Sequence, residues 1–193
     1  MNTNKKILLH ACCGPCATHC IEALRKDGIE PVLFFSNSNI MPKEEYNKRL
    51  EAIKKLAELV KVELVIDKYD NEAWRGGIAG YENEPEGGKR CTMCFTYNLS
   101  RAARYATKNG FTSFTTTLTV SPHKNSEQIF CVGDMLAEVA TEQGTPLTFE
   151  HYNFKKQNGF LNSVRLAKEY ELYRQSYCGC YYSIQKNTFS PSN

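Results

Sequence analysis

The stretch Ile7-Leu8-Leu9-His10-Ala11-Cys12-Cys13-Gly14-Pro15-Cys16 carries a short apolar segment straight into three cysteines. Lys6 to His10 reads as a buried strand. After the cysteine loop, Thr18 to Asp27 shows helical spacing through Ile21, Ala23 and Leu24, and Gly28 is placed to end that helix. Glu30 to Ser36 follows as a second strand. Its Pro31-Val32-Leu33-Phe34-Phe35 run has the unbroken apolar character of a strand covered on both faces.

The alternation continues along the chain. Pro42 to Val60 predicts a long helix with Pro42 in its first turn, an apolar face of Leu50, Ile53, Leu56, Ala57 and Val60, and lysines opposite. Val62 to Ile66 predicts a third strand, and the glycine-rich tract Gly76 to Lys89 a long loop. Arg90 to Lys108 then reads as helix, Phe111 to Val120 as β-rich, Glu127 to Glu138 as helix and Pro146 to Tyr152 as a last strand. The expected class is α/β: a mostly parallel sheet flanked by helices, with the active site at the carboxyl ends of the strands. Three loops should meet on that rim: the cysteine loop, the tract leading to Cys91, and Ser121 to Asn125. No repeat or low-complexity linker divides the sequence, so residues 1–193 are expected to form one catalytic domain.

Composition narrows the class. The chain has 193 residues and 24 Lys+Arg against 21 Asp+Glu, a net charge of +3 that neither demands nor excludes a nucleic-acid partner. Charged residues at 23% and aromatics at 11% argue against disorder. No apolar run approaches the roughly 20 residues of a membrane span, and Ile7 to Leu9 is too short for a secretory signal. A cytoplasmic protein is expected. Its 9 cysteines are an odd number with no export signal beside them, which favours reduced thiols used for metal or redox chemistry.

The cysteines fall into groups: Cys12, Cys13 and Cys16, then Cys91-Thr92-Met93-Cys94, then Cys178-Gly179-Cys180. Cys91 and Cys94 have the two-residue gap that lets two sulfurs bind one metal or cluster, and Cys13 and Cys16 repeat it. Thiols next to a helix N-terminus are easier to deprotonate, which marks the first group as reactive. Side chains of adjacent cysteines are expected to diverge, so a cuboidal iron–sulfur cluster, or a cluster beside a separate metal ion, fits the set better than one tetrahedral zinc. Cys178-Gly179-Cys180 is either a strained, redox-active pair or two packed free thiols. Cys20 and Cys131 are expected in the core. His10 either touches a ligand or hydrogen-bonds the loop, and Lys124 is a candidate phosphate contact.

Four motifs in order carry a resemblance. They are His10-Ala11-Cys12-Cys13-Gly14-Pro15-Cys16, Gly88-Lys89-Arg90-Cys91-Thr92-Met93-Cys94, Thr116 to Asn125, and Tyr173-Arg174-Gln175-Ser176-Tyr177-Cys178-Gly179-Cys180. Together they resemble the epoxyqueuosine reductases of the QueH type, over roughly Ile7 to Ser183. The resemblance implies cobalamin-independent reduction of epoxyqueuosine to queuosine at the wobble position of tRNA, on a nucleotide-hydrolase-like α/β fold. It implies a [4Fe-4S] cluster on Cys12, Cys13, Cys91 and Cys94, with an additional iron ion and Cys16 as a spare thiol near it. It further implies a redox-active pair at Cys178 and Cys180. Beside it, a Cys-rich segment of about 173–193 is expected to pack near the site, an electron donor is expected as a partner, Cys16 is a candidate catalytic thiol, and His10, Ser121, Lys124 and Arg174 are candidate substrate contacts.

For RNA, Arg101, Arg104, Lys108, Lys124, Lys155, Lys156 and Arg165 are candidates to meet phosphates, and Trp74 or nearby tyrosines to stack on a base. Two other readings stand beside this one: a zinc-stabilised RNA-binding module without catalysis, and an ATP-dependent tRNA sulfur-transfer enzyme. The cysteine loop takes the place of a phosphate-binding loop after the first strand, which argues against ATP.

Overall fold

The computed structural model describes residues 5–188; residues 1–4 and the tail of the 173–193 segment, 189–193, lie outside the described residues. Five parallel strands form one sheet in the order β3-β2-β1-β4-β5. They are β1 (Lys5–His10), β2 (Ile29–Phe35), β3 (Leu64–Ile66), β4 (Ser113–Thr116) and β5 (Thr148–Phe149). β1 pairs with β2 from Lys5↔Ile29 to His10↔Phe34 and with β4 from Leu8↔Phe114 to His10↔Thr116. The chain order reverses between β1 and β4, and a ligand crevice opens at the carboxyl ends of strands at such a switch point.

Strand periodicity divides the core between the two faces of the sheet. Ile7, Leu9, Leu33 and Phe35 pack on one side against α1 (Gly14–Lys26), α2 (Lys43–Val60) and α6 (Gly159–Glu169). Leu8, Val32, Phe34 and Phe114 pack on the other against α4 (Lys89–Lys108) and α5 (Ser126–Glu142). A side chain points to alternate faces at each step of a strand, so three consecutive apolar residues in β1 serve both layers. A smaller cluster of Trp74, Ile78 and Cys180 lies with Met93, Cys94 and Tyr97 beside the cysteine rim.

Several elements depart from the expectations. α1 begins at Gly14, inside the cysteine loop, because Cys13 caps it: the Cys16 amide donates to Cys13 Sγ at 3.4 Å. A Cβ on Gly14 would lie 2.8 Å from the Ala52 carbonyl oxygen, so only glycine lets this end of α1 press on α2. The β-rich Phe111–Val120 segment is strand only as far as Thr116. The Thr116 hydroxyl then accepts from the Leu118 amide at 3.1 Å and winds Thr117–Val120 into a 3-10 turn. Within Pro146–Tyr152 only Thr148 and Phe149 pair with β4. Three short helices escaped the pattern: α3 (Asn71–Gly77), α6 and α7 (Tyr181–Thr188). α3 is held by the Asp70 cap on Ala73 and by buried Trp74, in a stretch whose glycines read as loop. Cys131 is exposed on α5 and does not belong to the core, whereas Cys20 is buried and donates to the Cys16 carbonyl.

Asp67, after β3, ties the sheet to α4. It accepts from Ser36 Oγ at 2.6 Å and from Arg101 Nη2 at 2.8 Å. Burial pushes its carboxyl up, but the bonds from Arg101 and Ser36 outweigh this and hold it below its usual 3.8. A depressed carboxylate contributes stability above the unfolded pKa and loses it as pH falls through the folded one. Asp67→Asn is therefore expected to cost about 1 kcal/mol at pH 7, after allowance for partial exposure, and the difference should shrink as pH falls below 3.8. Denaturant melts of both proteins across that range check the convergence.

Candidate active site

At the β1/β4 switch point a cavity of about 580 Å³ opens among the cysteine loop, α4 and the segment before α7. Cys12 and Cys16 line it, and Cys13 lies buried beside them, with the three sulfurs all within 4.8 Å of one another. The expectation that adjacent side chains diverge is corrected here: the Cys12 and Cys13 sulfurs are 3.8 Å apart. Cys13 has the extended backbone of a helix cap, and the chain turns into α1 directly after it. All three sulfurs thus lie at the positive end of α1, which has no acidic residue in its first turn.

Cys94 lines the same cavity from α4. Cys91, one turn earlier, faces a smaller adjoining space of about 40 Å³ shared with Cys94, Cys178 and Cys180. Gly88 caps α4, so Cys91 and Cys94 occupy its first two turns, and a second helix N-terminus serves thiols at the site.

The hydrogen bonds around the sulfurs show what kind of thiol each is. Thr117 Oγ1 lies 3.2 Å from Cys12 Sγ and also accepts from the Cys12 amide. Gln175 Nε2 donates to Cys13 Sγ at 3.0 Å. The Gly87 amide donates to Cys91 Sγ at 3.2 Å, and Trp74 Nε1 to Cys94 Sγ at 3.4 Å. Each of these four sulfurs accepts, as a thiolate or a metal-bound sulfur does. Cys20, in the core, instead donates.

Without a cation the charge is concentrated on Cys12. Bonds from Cys13 and Cys16, then Lys124 and Thr117, hold Cys12 well below the usual thiol range despite burial. Cys13 is pushed up to about 12 by donating to Cys12, and Cys16 is raised for the same reason. Burial and the nearby Cys178 charge raise Cys94 to about 12. Three thiols that share one negative charge would all ionise only around added positive charge, so the donor set suits a thiophilic metal centre.

Cys178, from the Cys178-Gly179-Cys180 turn, also lines the cavity, and both thiols of the turn are free. Cys180 donates to Cys178, which with Lys124 and against burial lowers Cys178 to about 6 and raises Cys180. The turn is anchored from below. Buried Arg49 pairs with Glu45 at 2.7 Å and donates to the carbonyls of Cys178 at 2.9 Å and Tyr177 at 3.1 Å. Gly179 has φ +115, and a Cβ there would lie 2.8 Å from Arg49 Nη1. The Tyr173 hydroxyl donates to Glu45 and that of Tyr177 to the Met41 carbonyl, which completes the clamp.

His10, Ser121, Lys124 and Arg174 all line the cavity. Lys124 reaches the charge of Cys178, Cys12, Cys16 and Cys13, which raises its pKa although burial opposes this. Arg174 is exposed at the mouth, its guanidinium 5.2 Å over the Phe160 ring. His10 is a strut and not a free contact. Its Nε2 lies 3.0 Å from the Ser36 carbonyl and its Nδ1 2.8 Å from Thr116 Oγ1. A carbonyl only accepts, so Nε2 carries the hydrogen and the hydroxyl donates to Nδ1. Burial lowers the pKa of the ring and keeps it neutral.

The RNA candidates divide. Arg101 is committed to Asp67, and Lys108 ends α4 at about 25 Å from its first turn by helix rise, with Arg104 between. Arg165 pairs with Glu169 on the outer face of α6. Trp74 is buried behind Cys94, so it offers no surface to a base. Lys155 donates to the carbonyl of cavity-lining Lys124, and neighbouring Lys156 is exposed. Asn98, Asn39 and Gln175 line the cavity and were missed, because single carboxamides carry no spacing signal.

Comparison with known proteins bears on this geometry. A family model described as epoxyqueuosine reductase QueH matches residues 7–186. Proteins of that name from Streptococcus pyogenes and Acinetobacter baylyi are each 40% identical over 93% of this chain, covering 70% and 81% of their own lengths. The one from Thermotoga maritima is 37% identical over 92% of this chain and 90% of its own. Among solved structures, the U34-tRNA thiolase NcsA from Methanococcus maripaludis with its [4Fe-4S] cluster superposes with a TM-score of 0.53. That match covers 93% of this chain and 61% of the other, at 13% identity, and speaks to the fold.

Proposed function

The chain belongs to the QueH family of epoxyqueuosine reductases, and we propose that its cysteine-lined cavity is where the epoxide of the wobble nucleotide of tRNA is reduced. The reaction is an oxidoreduction: epoxide, two electrons and two protons become alkene and water. The observation that carries the placement is the cavity itself, which gathers three loop thiols, a helix thiol and the Cys178 turn around one ammonium.

Cys12, Cys13, Cys91 and Cys94, whose sulfurs each accept a hydrogen bond, would hold a [4Fe-4S] cluster, with Cys16 left for an additional iron ion. When bound, such a centre supplies electrons one at a time, and an iron with an open position polarises a C–O bond. Lys124 holds positive charge at the wall of the cavity, where the epoxide oxygen gains negative charge as its bond breaks. Cys178 and Cys180 can release two electrons and two protons on closing to a disulfide, the amounts that the reaction consumes, and a separate electron donor would reopen it. Ser121 and Arg174 border the entering nucleotide, while Arg174, Lys155 and Lys156 face the RNA backbone.

The test is anaerobic incubation of iron- and sulfide-loaded protein with epoxyqueuosine-bearing tRNA and a reductant. Conversion to queuosine without ATP is expected; bound zinc without acid-labile sulfide, or a need for ATP, would reject the reading. Raising salt is expected to weaken tRNA binding, and Arg174→Ala should flatten that dependence by about one unit of log–log slope while Arg165→Ala leaves it unchanged. Equal slopes for Arg174→Ala and the parent protein would remove Arg174 from the interface.

A further inference from the structure

Two residues that line the cavity each carry a side-chain oxygen with no hydrogen-bond partner among the described residues: Asn98 Oδ1 and Gln175 Oε1 are both shielded from solvent and unpaired. Leaving a buried acceptor unpaired costs folding free energy, so such atoms in a working site are normally satisfied by water or by ligand. Asn98 is 4% exposed, and its orientation is not arbitrary. Its Nδ2 lies 3.1 Å from the Cys94 carbonyl, which can only accept, and 3.1 Å from Asn39 Oδ1, so the nitrogen must face the protein and the oxygen is turned away. Gln175 repeats the arrangement across the cavity: Nε2 donates to Cys13 Sγ, and a metal-holding sulfur carries no proton, so the nitrogen must face it.

Each carboxamide thus grips a cysteine with its nitrogen and presents its oxygen unpaired. Asn98 Nδ2 also lies 3.5 Å from Cys94 Sγ. We infer that Asn98 and Gln175 are specificity-determining residues whose oxygens accept hydrogen bonds from hydroxyl groups beside the epoxide of the modified nucleotide. This rests on the reductase reading. Acceptors select for donors, and a guanine-type base edge also has N–H donors. The location decides between the two. Both oxygens belong to residues bonded to Cys13 and Cys94, where the carbon atoms being reduced must come to rest, and the hydroxylated five-carbon ring of epoxyqueuosine carries those carbons. The base edge is farther from the reacting bond.

The inference is tested by anaerobic equilibrium binding of the loaded protein to an anticodon stem-loop RNA bearing epoxyqueuosine, with no electron donor present, and to the same RNA bearing guanosine. Asn98→Ala and Gln175→Ala are each expected to weaken binding of the modified RNA about tenfold, the loss of one good hydrogen bond. Affinity for the guanosine RNA and the iron and sulfide content should be unchanged. Gln175 sits on the half-exposed segment before α7, so its variant remains informative if the buried Asn98 variant does not fold. Equal loss on both RNAs would overturn the assignment in favour of the base edge. Unchanged affinity, or loss of iron, would overturn it as well. Adding reductant to the parent protein separates the two levels: no conversion would mean that the reductase reading has failed, whereas conversion with unaltered variant binding would sink only this inference.

Discussion

Cys12→Ser and Cys94→Ser should each lose the iron of anaerobically prepared protein and reduce epoxyqueuosine turnover by more than about 100-fold, the upper end of what changes outside the direct ligands produce. Serine keeps the shape of cysteine and removes the soft sulfur, and its hydroxyl does not ionise near neutral pH. Both positions already have the surroundings of an electron-rich sulfur, with Thr117 on Cys12 and Trp74 on Cys94. In the variants these donors would face a neutral hydroxyl. Cys131→Ser is the control, since that thiol is exposed on α5, away from the cavity lining, and iron content and rate should match the parent. Iron and sulfide analysis with single-turnover rates decides the matter. Cys94→Ser protein with full iron and full rate would remove Cys94 from the ligand set.

Arg49→Met should destabilise the protein by about 3–5 kcal/mol, because it leaves the buried Glu45 carboxylate without its cation. Among the described ion pairs this one is the most deeply buried, with side chains 2% and 7% exposed. Its loss also removes the donors to the carbonyls of Tyr177 and Cys178, so the wall of the cavity should loosen with the fold. Denaturant melts measure the first effect. The second is read from Cys178, whose reaction with a thiol reagent should accelerate in native conditions. The double variant Arg49→Met with Glu45→Leu should recover part of the stability, since no unpaired charge is then buried, but not the slow thiol reaction. Loss of less than about 1 kcal/mol in the single variant would show that Glu45 finds another partner, with the Tyr173 hydroxyl at 2.6 Å the nearest at hand.

These two expectations depend on different information. The cysteine groups are visible as spacing, and so is the strand-loop-helix order that puts the first group at a helix N-terminus. The Arg49–Glu45 clamp is not: its residues lie on the polar side of a regular helical pattern, where an arginine and a glutamate four apart usually face water. Only the return of the segment from Tyr173 to Cys180 over α2 covers them. Trp74 shows the same limit. An aromatic residue near basic ones suggests a stacking surface, yet α3 folds it inward behind Cys94. Arg101 reads as a free cation until Asp67, 34 residues earlier, is brought beside it by the sheet.

By itself, the order of residues determined the parallel α/β class, the motifs of the family, and the thiols available for chemistry, because periodicity, capping and spacing are local and survive in a one-dimensional string. Tertiary structure decided which of those thiols meet. It folded neighbouring cysteines toward one another at the cap of α1, brought α4 to face them across the gap between β1 and β4, and left the carboxamide oxygens of two cavity-lining residues without partners. Those outcomes depend on contacts between segments far apart in the chain, where burial and hydrogen-bond satisfaction, not local preference, choose the partner.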